Sequence, residues 1–275
     1  MVENKTTMQA VQIVGEFGIE NLKVVEMPMP TPKSGQVLIR VDASPINPSD
    51  VAYVKGSYPR ERDLPIVPGF EGSGTIISSG GGFLGWSLVG KNVAFTTSKT
   101  LDGAWAEYVV AEAKSCVKIG NNPLESASCS FVNPLTVLSM MDIAKTKSHK
   151  AIIHTAAASS LGKMLIREAN ESHLPLINIV RREAQVEDLK TLGAEYVLNQ
   201  NDEDFEQKLQ ELSAKLGATC CFEAVAGDLT GQIMNAMPHG SVVYCYGGLS
   251  SEPVKGIAVL GLIAQKKRLE GLWLP

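Results

Sequence analysis

Apolar and polar positions follow two different rhythms along this chain, and the change between them falls near residue 126. Up to about residue 115 the apolar residues come in short runs: Gln9–Val14, Val24–Met27, Gln36–Asp42, Gly74–Ser79, Lys91–Phe95 and Glu107–Val110. Turn-forming stretches such as PTPKSG and SGGG separate them. Within VLIRV the side chains alternate in and out, and the spacing predicts a partly closed antiparallel barrel or sandwich with almost no helix. Beyond it, Ser126–Ala144 is helix-compatible except at Pro134, which is expected to mark a boundary or kink. Strands are then expected at Ala151–Thr155, Leu176–Val180, Tyr196–Leu198, Thr219–Glu223, Ser241–Tyr246 and Arg268–Leu274. Between them the helical period returns at Ser160–Ala169, Ala184–Leu192, Asp204–Leu216, Leu229–Met237 and Ile257–Lys266. Regular alternation of this kind predicts a doubly wound α/β domain, a parallel sheet with helices on both faces. AIIHT, LINIV and VVYCY carry apolar runs rather than strict alternation, as strands buried on both sides should. The expected domains are therefore 1–125 and 126–275.

Composition narrows the function classes. Of 275 residues, 25 are Lys or Arg and 29 Asp or Glu, scattered rather than blocked, so neither a nucleic-acid footprint nor an acidic tail is expected. Gly256–Gln265 is too short to span a bilayer, and the start MVENKTTMQA reads as neither signal nor transit peptide. The expectation is a soluble cytoplasmic protein with no nucleic-acid or membrane partner. The five cysteines lack CxxC spacing and are expected to be buried reduced thiols, with Cys220 and Cys221 on opposite faces of a strand.

The candidate chemistry lies at strand ends. AIIHT runs into Ala156-Ala157-Ala158-Ser159-Ser160-Leu161-Gly162 and then a helix, a small-residue turn that lets a pyrophosphate approach free backbone N–H groups. Only Gly162 keeps a glycine of the usual G-x-G-x-x-G signature, so a turn chosen for helix packing is the competing reading. After the second strand an NAD site should offer Asp or Glu to the ribose; Arg181-Arg182 stand there instead and suit the extra phosphate of NADPH. A solvated charge pair opening a surface helix is the alternative. EAVAG at 223–227 and Tyr246-Gly247-Gly248 follow consecutive strands at the ligand-binding edge, where the glycines are either a hinge or a backing for nicotinamide.

In order and spacing, further motifs resemble the medium-chain dehydrogenase/reductase superfamily, in its zinc-free quinone oxidoreductase and enoyl-thioester reductase branches. They are Ser44-Pro45-Ile46-Asn47-Pro48-Ser49-Asp50, Gly56-Ser57-Tyr58-Pro59, Pro68-Gly69-Phe70-Glu71-Gly72, Gly103-Ala104-Trp105-Ala106-Glu107-Tyr108, Val132-Asn133-Pro134-Leu135-Thr136, Tyr246-Gly247-Gly248 and Gly271-Leu272-Trp273-Leu274. The resemblance implies an N-terminal GroES-like catalytic domain, a Rossmann-type NADPH domain and a cleft between them. It implies that Thr136 lies at the cofactor and Ser160 and Leu161 at the pyrophosphate. The last strand, with Leu272 and Trp273, would approach nicotinamide and pair across a homodimer. It also makes Tyr58 the candidate donor to an enolate oxygen and Asn47 a candidate for orienting substrate or ribose, with an aromatic plug and a turn cap as the respective alternatives. Tyr53 is a competing phenol, and Arg60 and Arg62 could attract an anionic substrate such as an acyl thioester.

Two departures from the resembled pattern matter. Zinc-dependent members have a histidine in Gly-His-Glu where this chain has Phe70, so no metal is expected. Members normally continue several dozen residues past the Gly271–Leu274 segment, so the chain resembles a shortened form. The expected reaction is hydride transfer from NADPH to a quinone, conjugated enone or enoyl thioester. A catalytically impaired NADPH-binding protein and a zinc-independent alcohol dehydrogenase-like reductase are the alternatives.

Overall fold

A computed structural model describes residues 6–58, 63–98 and 100–273. Arg60, Arg62 and Leu274, named above, lie outside the described residues. The chain forms two compact units, Met1–Val132 and Asn133–Pro275.

In the first unit, β1 (Thr7–Ile13) and β2 (Leu22–Pro28) form an antiparallel ribbon. β3 (Gln36–Ala43), β4 (Glu71–Ser79), β5 (Asn92–Thr96), β6 (Tyr108–Glu112) and β7 (Cys116–Lys118) make a second antiparallel sheet in the order β6-β3-β4-β5-β7. Bridges Ala10 to Ala106 and Ile13 to Ile66 tie the ribbon to the rest. Val37, Ile39, Ile76, Val93, Phe95 and Val109 fill the interior.

Among the described residues of this unit, three short α-helices depart from the almost helix-free expectation: α1 (Pro48–Val54), α2 (Phe83–Leu88) and α3 (Leu124–Ala127). At four to seven residues they are too short to show a helical period. α1 nevertheless has local signals: Asn47 is its N-cap, Pro48 sits in the first turn, and Asp50 completes a capping box. α3 packs on β3, β4 and β5, so Ser126 lies within the first unit rather than opening the second.

α4 (Val132–Thr146) carries Pro134 in its first turn, where a proline's missing N–H costs nothing, so the residue starts the helix instead of breaking it. Then follow β8 (Ala151–His154), α5 (Ser160–Glu171), β9 (Leu176–Val180), α6 (Glu183–Thr191), β10 (Tyr196–Asn199) and α7 (Phe205–Leu216). β11 (Ala218–Glu223), α8 (Asp228–Ala236), β12 (Val242–Cys245), α9 (Val259–Ile263) and β13 (Arg268–Gly271) complete the unit. All six strands are parallel, in the order β10-β9-β8-β11-β12-β13. This is the doubly wound Rossmann order, and the strand sequence reverses direction between β8 and β11.

Helices cover both faces. α4, α5 and α6 build one core through Met140, Leu165 and Leu189; α7 and α8 build the other through Leu209 and Ile233. Every residue of β9 is buried, the physical reason it lacks strict alternation; its one polar residue, Asn178, donates through Nδ2 to the carbonyls of Leu176 at 3.2 Å and Tyr196 at 3.1 Å. Cys220 belongs to the first core and Cys221 to the second, so the adjacent thiols do point to opposite faces. All five cysteines are free. α9 is shorter than the helix expected over Ile257–Lys266, because Ala264 closes it and Lys266 turns to φ 51°.

Candidate functional site

The carboxyl ends of β8, β9, β11, β12 and β13 bring most of the expected cofactor residues to one edge of the second unit. After β8 the backbone turns through Ala156 at φ 49°, a left-handed conformation more typical of glycine. Ser159 then caps α5, its Oγ accepting from the Gly162 N–H at 3.1 Å. The N–H groups of Ser160 and Leu161, one and two positions into the helix, have no carbonyl a turn back within it, the usual arrangement for holding an anion. Gly162 serves another purpose. A Cβ there would overlap the Ala157 carbonyl, so this glycine lets α5 sit tightly on the turn, as the packing reading had it.

Arg181 and Arg182 follow β9, both exposed and neither in an ion pair among the described residues. Arg182 is the N-cap of α6. Asn201 Nδ2 donates to the Arg181 carbonyl at 2.8 Å, fixing the backbone that carries the pair. Two free guanidinium groups on a fixed loop can take a phosphate in fork-like fashion.

Between β8 and β11 lies an arrangement that the sequence did not single out. Glu223 is fully buried, and its carboxylate accepts from the N–H groups of Val225 at 2.6 Å and Ala226 at 2.9 Å. The hydroxyls of Thr230 at 3.0 Å and Thr155 at 3.2 Å donate to it as well. Thr155 Oγ1 also accepts from Ala224 N–H at 2.8 Å, locking the ends of the two strands together. These donors replace the water that a buried carboxylate gives up. The result is a rigid loop through Ala226 and Gly227, both at positive φ. A lone Glu closing an apolar strand was the available signal.

Beyond β12, the Tyr246 hydroxyl meets His154 Nε2 at 2.7 Å, and the two rings stack with centroids 5.9 Å apart. Burial pushes His154 down to about 3, so the imidazole is neutral, and burial also raises the Tyr246 phenol. Both groups are therefore uncharged near neutral pH, and Tyr246 is fixed as part of the wall. Gly247 and Gly248 differ: a Cβ on Gly247 would press on the Ala224 carbonyl at 2.8 Å, whereas Gly248 faces open space. Leu272 N–H donates to the Cys245 carbonyl at 2.8 Å and its side chain packs on the core, while Trp273 is half exposed. Thr136 lies in the first part of α4, partly buried.

The first unit holds Tyr58 and Asn47. Tyr58 is partly buried, its ring 5.5 Å from that of Phe70, and lines a shallow recess with Tyr53, Val67, Pro68 and Leu101. Tyr53 meets Phe70 edge-on at 5.4 Å and is buried. Asn47 is buried; its Nδ2 donates to Glu71 Oε1 at 3.0 Å, and its N–H to Asp50 Oδ2 at 2.7 Å. Glu71 Oε2 accepts in turn from the N–H groups of Phe131 at 2.8 Å and Val132 at 3.1 Å. These bonds place Asn47 at the start of α1, as its N-cap. Among the described residues, no group of three His, Cys, Asp or Glu side chains is placed to hold a metal ion.

Comparison with known proteins agrees with this geometry. Residues 33–121 match the alcohol dehydrogenase GroES-like domain, and residues 160–275 the family described as zinc-binding dehydrogenase. The mitochondrial enoyl-[acyl-carrier-protein] reductase of Arabidopsis thaliana is 30% identical over 258 residues, covering 92% of this chain and 68% of the relative. The chain belongs to the medium-chain dehydrogenase/reductase superfamily. Among solved members of similar structure, a candidate NADPH:quinone reductase of Mesorhizobium loti is 38% identical with a TM-score of 0.89, covering 98% of this chain and 82% of that one. Etr1p, solved with NADP and crotonyl-CoA, superposes with a TM-score of 0.80 at 20% identity, over 98% of this chain and 82% of its own; that likeness concerns the fold. Superfamily membership accounts for the antiparallel first unit and the Rossmann order of the second.

Proposed function

We propose that this protein is an NADPH-dependent, metal-free oxidoreductase that reduces a conjugated carbonyl compound, an enoyl thioester or small enone. The observation that carries the reading is the exposed Arg181-Arg182 pair beside the Ser159-capped start of α5, two anion-holding features at neighbouring strand ends. Those residues fit the cofactor. Ser160 and Leu161 would offer N–H groups to its pyrophosphate, the arginines would hold the adenosine phosphate, and the open backbone at Gly248 leaves room for a flat ring. Thr136, Tyr246, Leu272 and Trp273 complete the assigned surroundings.

When bound, NADPH supplies a hydride for the electron-poor carbon of the substrate. The protein's task is then to hold the reactants and stabilise the negative charge that develops on the carbonyl oxygen. Tyr58 takes that role, its phenol O–H donating to the oxygen. Asn47, committed to Glu71 and the α1 cap, serves the framework that carries Tyr58. A metal has no part in this reading because Phe70 stands where zinc-dependent members carry a histidine, and a phenyl ring supplies no ligand. We further propose a homodimer paired through the edge of β13.

A quinone reductase acting without a tyrosine acid is the second reading, favoured by the 38% identity to the Mesorhizobium loti protein. NADPH and NADH titrations of the wild type and of an Arg181→Ala/Arg182→Ala variant test the cofactor assignment. The wild type should prefer NADPH, and the variant should lose that preference; equal affinities in the wild type would remove the arginines from it. Turnover of trans-2-enoyl thioesters, enones and quinones by the wild type and by Tyr58→Phe separates the two reactions. A loss of at least ~10-fold in the variant, with NADPH binding intact, is expected if Tyr58 is the donor.

A further inference from the structure

A surface helix normally turns its polar positions outward, and α2 does the reverse. Gly85 and Leu88 face the interior, while Phe83 is 85% exposed and Trp86 73%, with Leu84 and the following Val89 also exposed. Four large apolar side chains within seven residues form a continuous projecting patch, larger than scattered surface residues explain.

Lysines stand on the segments that adjoin it. The Lys33 backbone lies against Gly80 at the approach to α2, and Lys91 follows directly, its N–H bonded to the Leu88 carbonyl at 3.0 Å. Lys114 stands on the turn Ala113–Ser115, which packs on α2. All three side chains are exposed. On these segments the only carboxylate is Glu112, and it accepts a hydrogen bond from Gln36 Nε2 at 2.9 Å. Exposed aromatic and aliphatic groups with exposed lysines on the adjoining segments match the two layers of an anionic bilayer surface. Apolar groups enter the boundary between headgroups and acyl chains, Trp favours that depth, and ammonium groups meet the lipid phosphates. A second copy of the same patch would instead bring lysines against lysines.

We propose that α2 with Lys33, Lys91 and Lys114 is a docking surface for anionic membranes, by which the protein associates peripherally. Among the described residues no helix is long and apolar enough to cross a membrane, which bears on spanning and leaves surface contact open. This proposal is independent of the cofactor and substrate assignments.

Co-sedimentation of the protein with vesicles of phosphatidylcholine, with and without phosphatidylglycerol, tests it. Binding is expected to anionic vesicles and to weaken as salt rises. Phe83→Ser/Trp86→Ser should lower the partition coefficient about tenfold or more, because it removes the inserting side chains. A Lys33→Gln/Lys91→Gln/Lys114→Gln variant should lose the preference for phosphatidylglycerol. These side chains are on the surface, so the variants should keep the wild-type circular dichroism and Tm. As a second readout, Trp86 emission should shift to the blue on binding, and Trp86→Phe should abolish that shift while still binding. Failure of the wild type to bind, equal binding by the double-serine variant, or a soluble dimer that this variant disrupts would each overturn the proposal.

Discussion

His154 and Asp50 are both fully buried titratable groups, and burial moves them in opposite directions along the pH scale. The histidine is pushed down to about 3 from an ordinary value near 6.5, because the charged ring would lose its hydration. In the unfolded chain it protonates below about 6.5, so between there and about 3 the unfolded state binds more protons. Its contribution to stability is complete above that window and is lost as pH falls through it, by at most about 1.4 kcal/mol per pH unit. Asp50 is raised to about 6, chiefly by burial and against the hydrogen bonds from Asn47 and Phe70. Here the native state binds the extra proton between about 3.8 and 6, so this group favours folding as pH falls through that range. Denaturant unfolding at closely spaced pH values should show His154→Gln with a shallower acid loss than the wild type, and Asp50→Asn with a steeper one. Parallel profiles for all three proteins would contradict both shifts. Neither group stood out in the sequence: Asp50 is there the last residue of the Ser44–Asp50 motif and His154 a polar residue in AIIHT, and only burial gives them significance.

At the scale of single elements, the turn from β8 into α5 shows what sequence can and cannot say. Its small residues announced a close approach, but not of what. Gly162 answers to Ala157 and Ser159 to the Gly162 N–H, so these two residues of the turn are used in building it. Gly162→Ala should force α5 away from the turn and cost about 1–3 kcal/mol of stability, a typical overpacking penalty. A denaturation midpoint equal to wild type would mean that the turn yields freely. α5, α7 and α8 were legible because burial on one side leaves a helical period. α1 and α2 were not, since a helix of seven residues or fewer cannot show one; the Asn47-to-Asp50 box that starts α1 was not read as a helix signal. The Glu223 clamp escaped notice for another reason. Its donors come from Thr155, Val225, Ala226 and Thr230, and Thr155 is far from the others in the chain until the strand order brings β8 beside β11.

On the scale of the whole molecule, alternation of strands and helices was enough to foretell the second unit, because a parallel sheet requires a crossover between each pair of strands. Pattern alone does not say what becomes of the sheet's outer edge. Among the described residues β13 pairs with β12 on one side only, and its Leu269 is exposed. Arg268 N–H donates to the Ser241 carbonyl at 2.9 Å and Leu272 N–H to the Cys245 carbonyl at 2.8 Å, so alternate N–H groups along β13, those of Leu269 and Gly271, face the free edge. An uncovered edge of this kind is a template for another strand. If the proposed homodimer pairs there, Leu269→Pro removes one outward donor while sparing the bonds to β12, as edge strands tolerate. Sedimentation velocity should then show the wild type as a dimer and the variant dissociating at concentrations at least ~10-fold higher, the effect of losing a bond worth roughly 1.5 kcal/mol across two symmetric contacts. The far-ultraviolet circular dichroism should be unchanged. A wild type that sediments as a monomer, or a variant that dimerises equally well, would move the contact away from β13 and leave its edge to be protected in some other way.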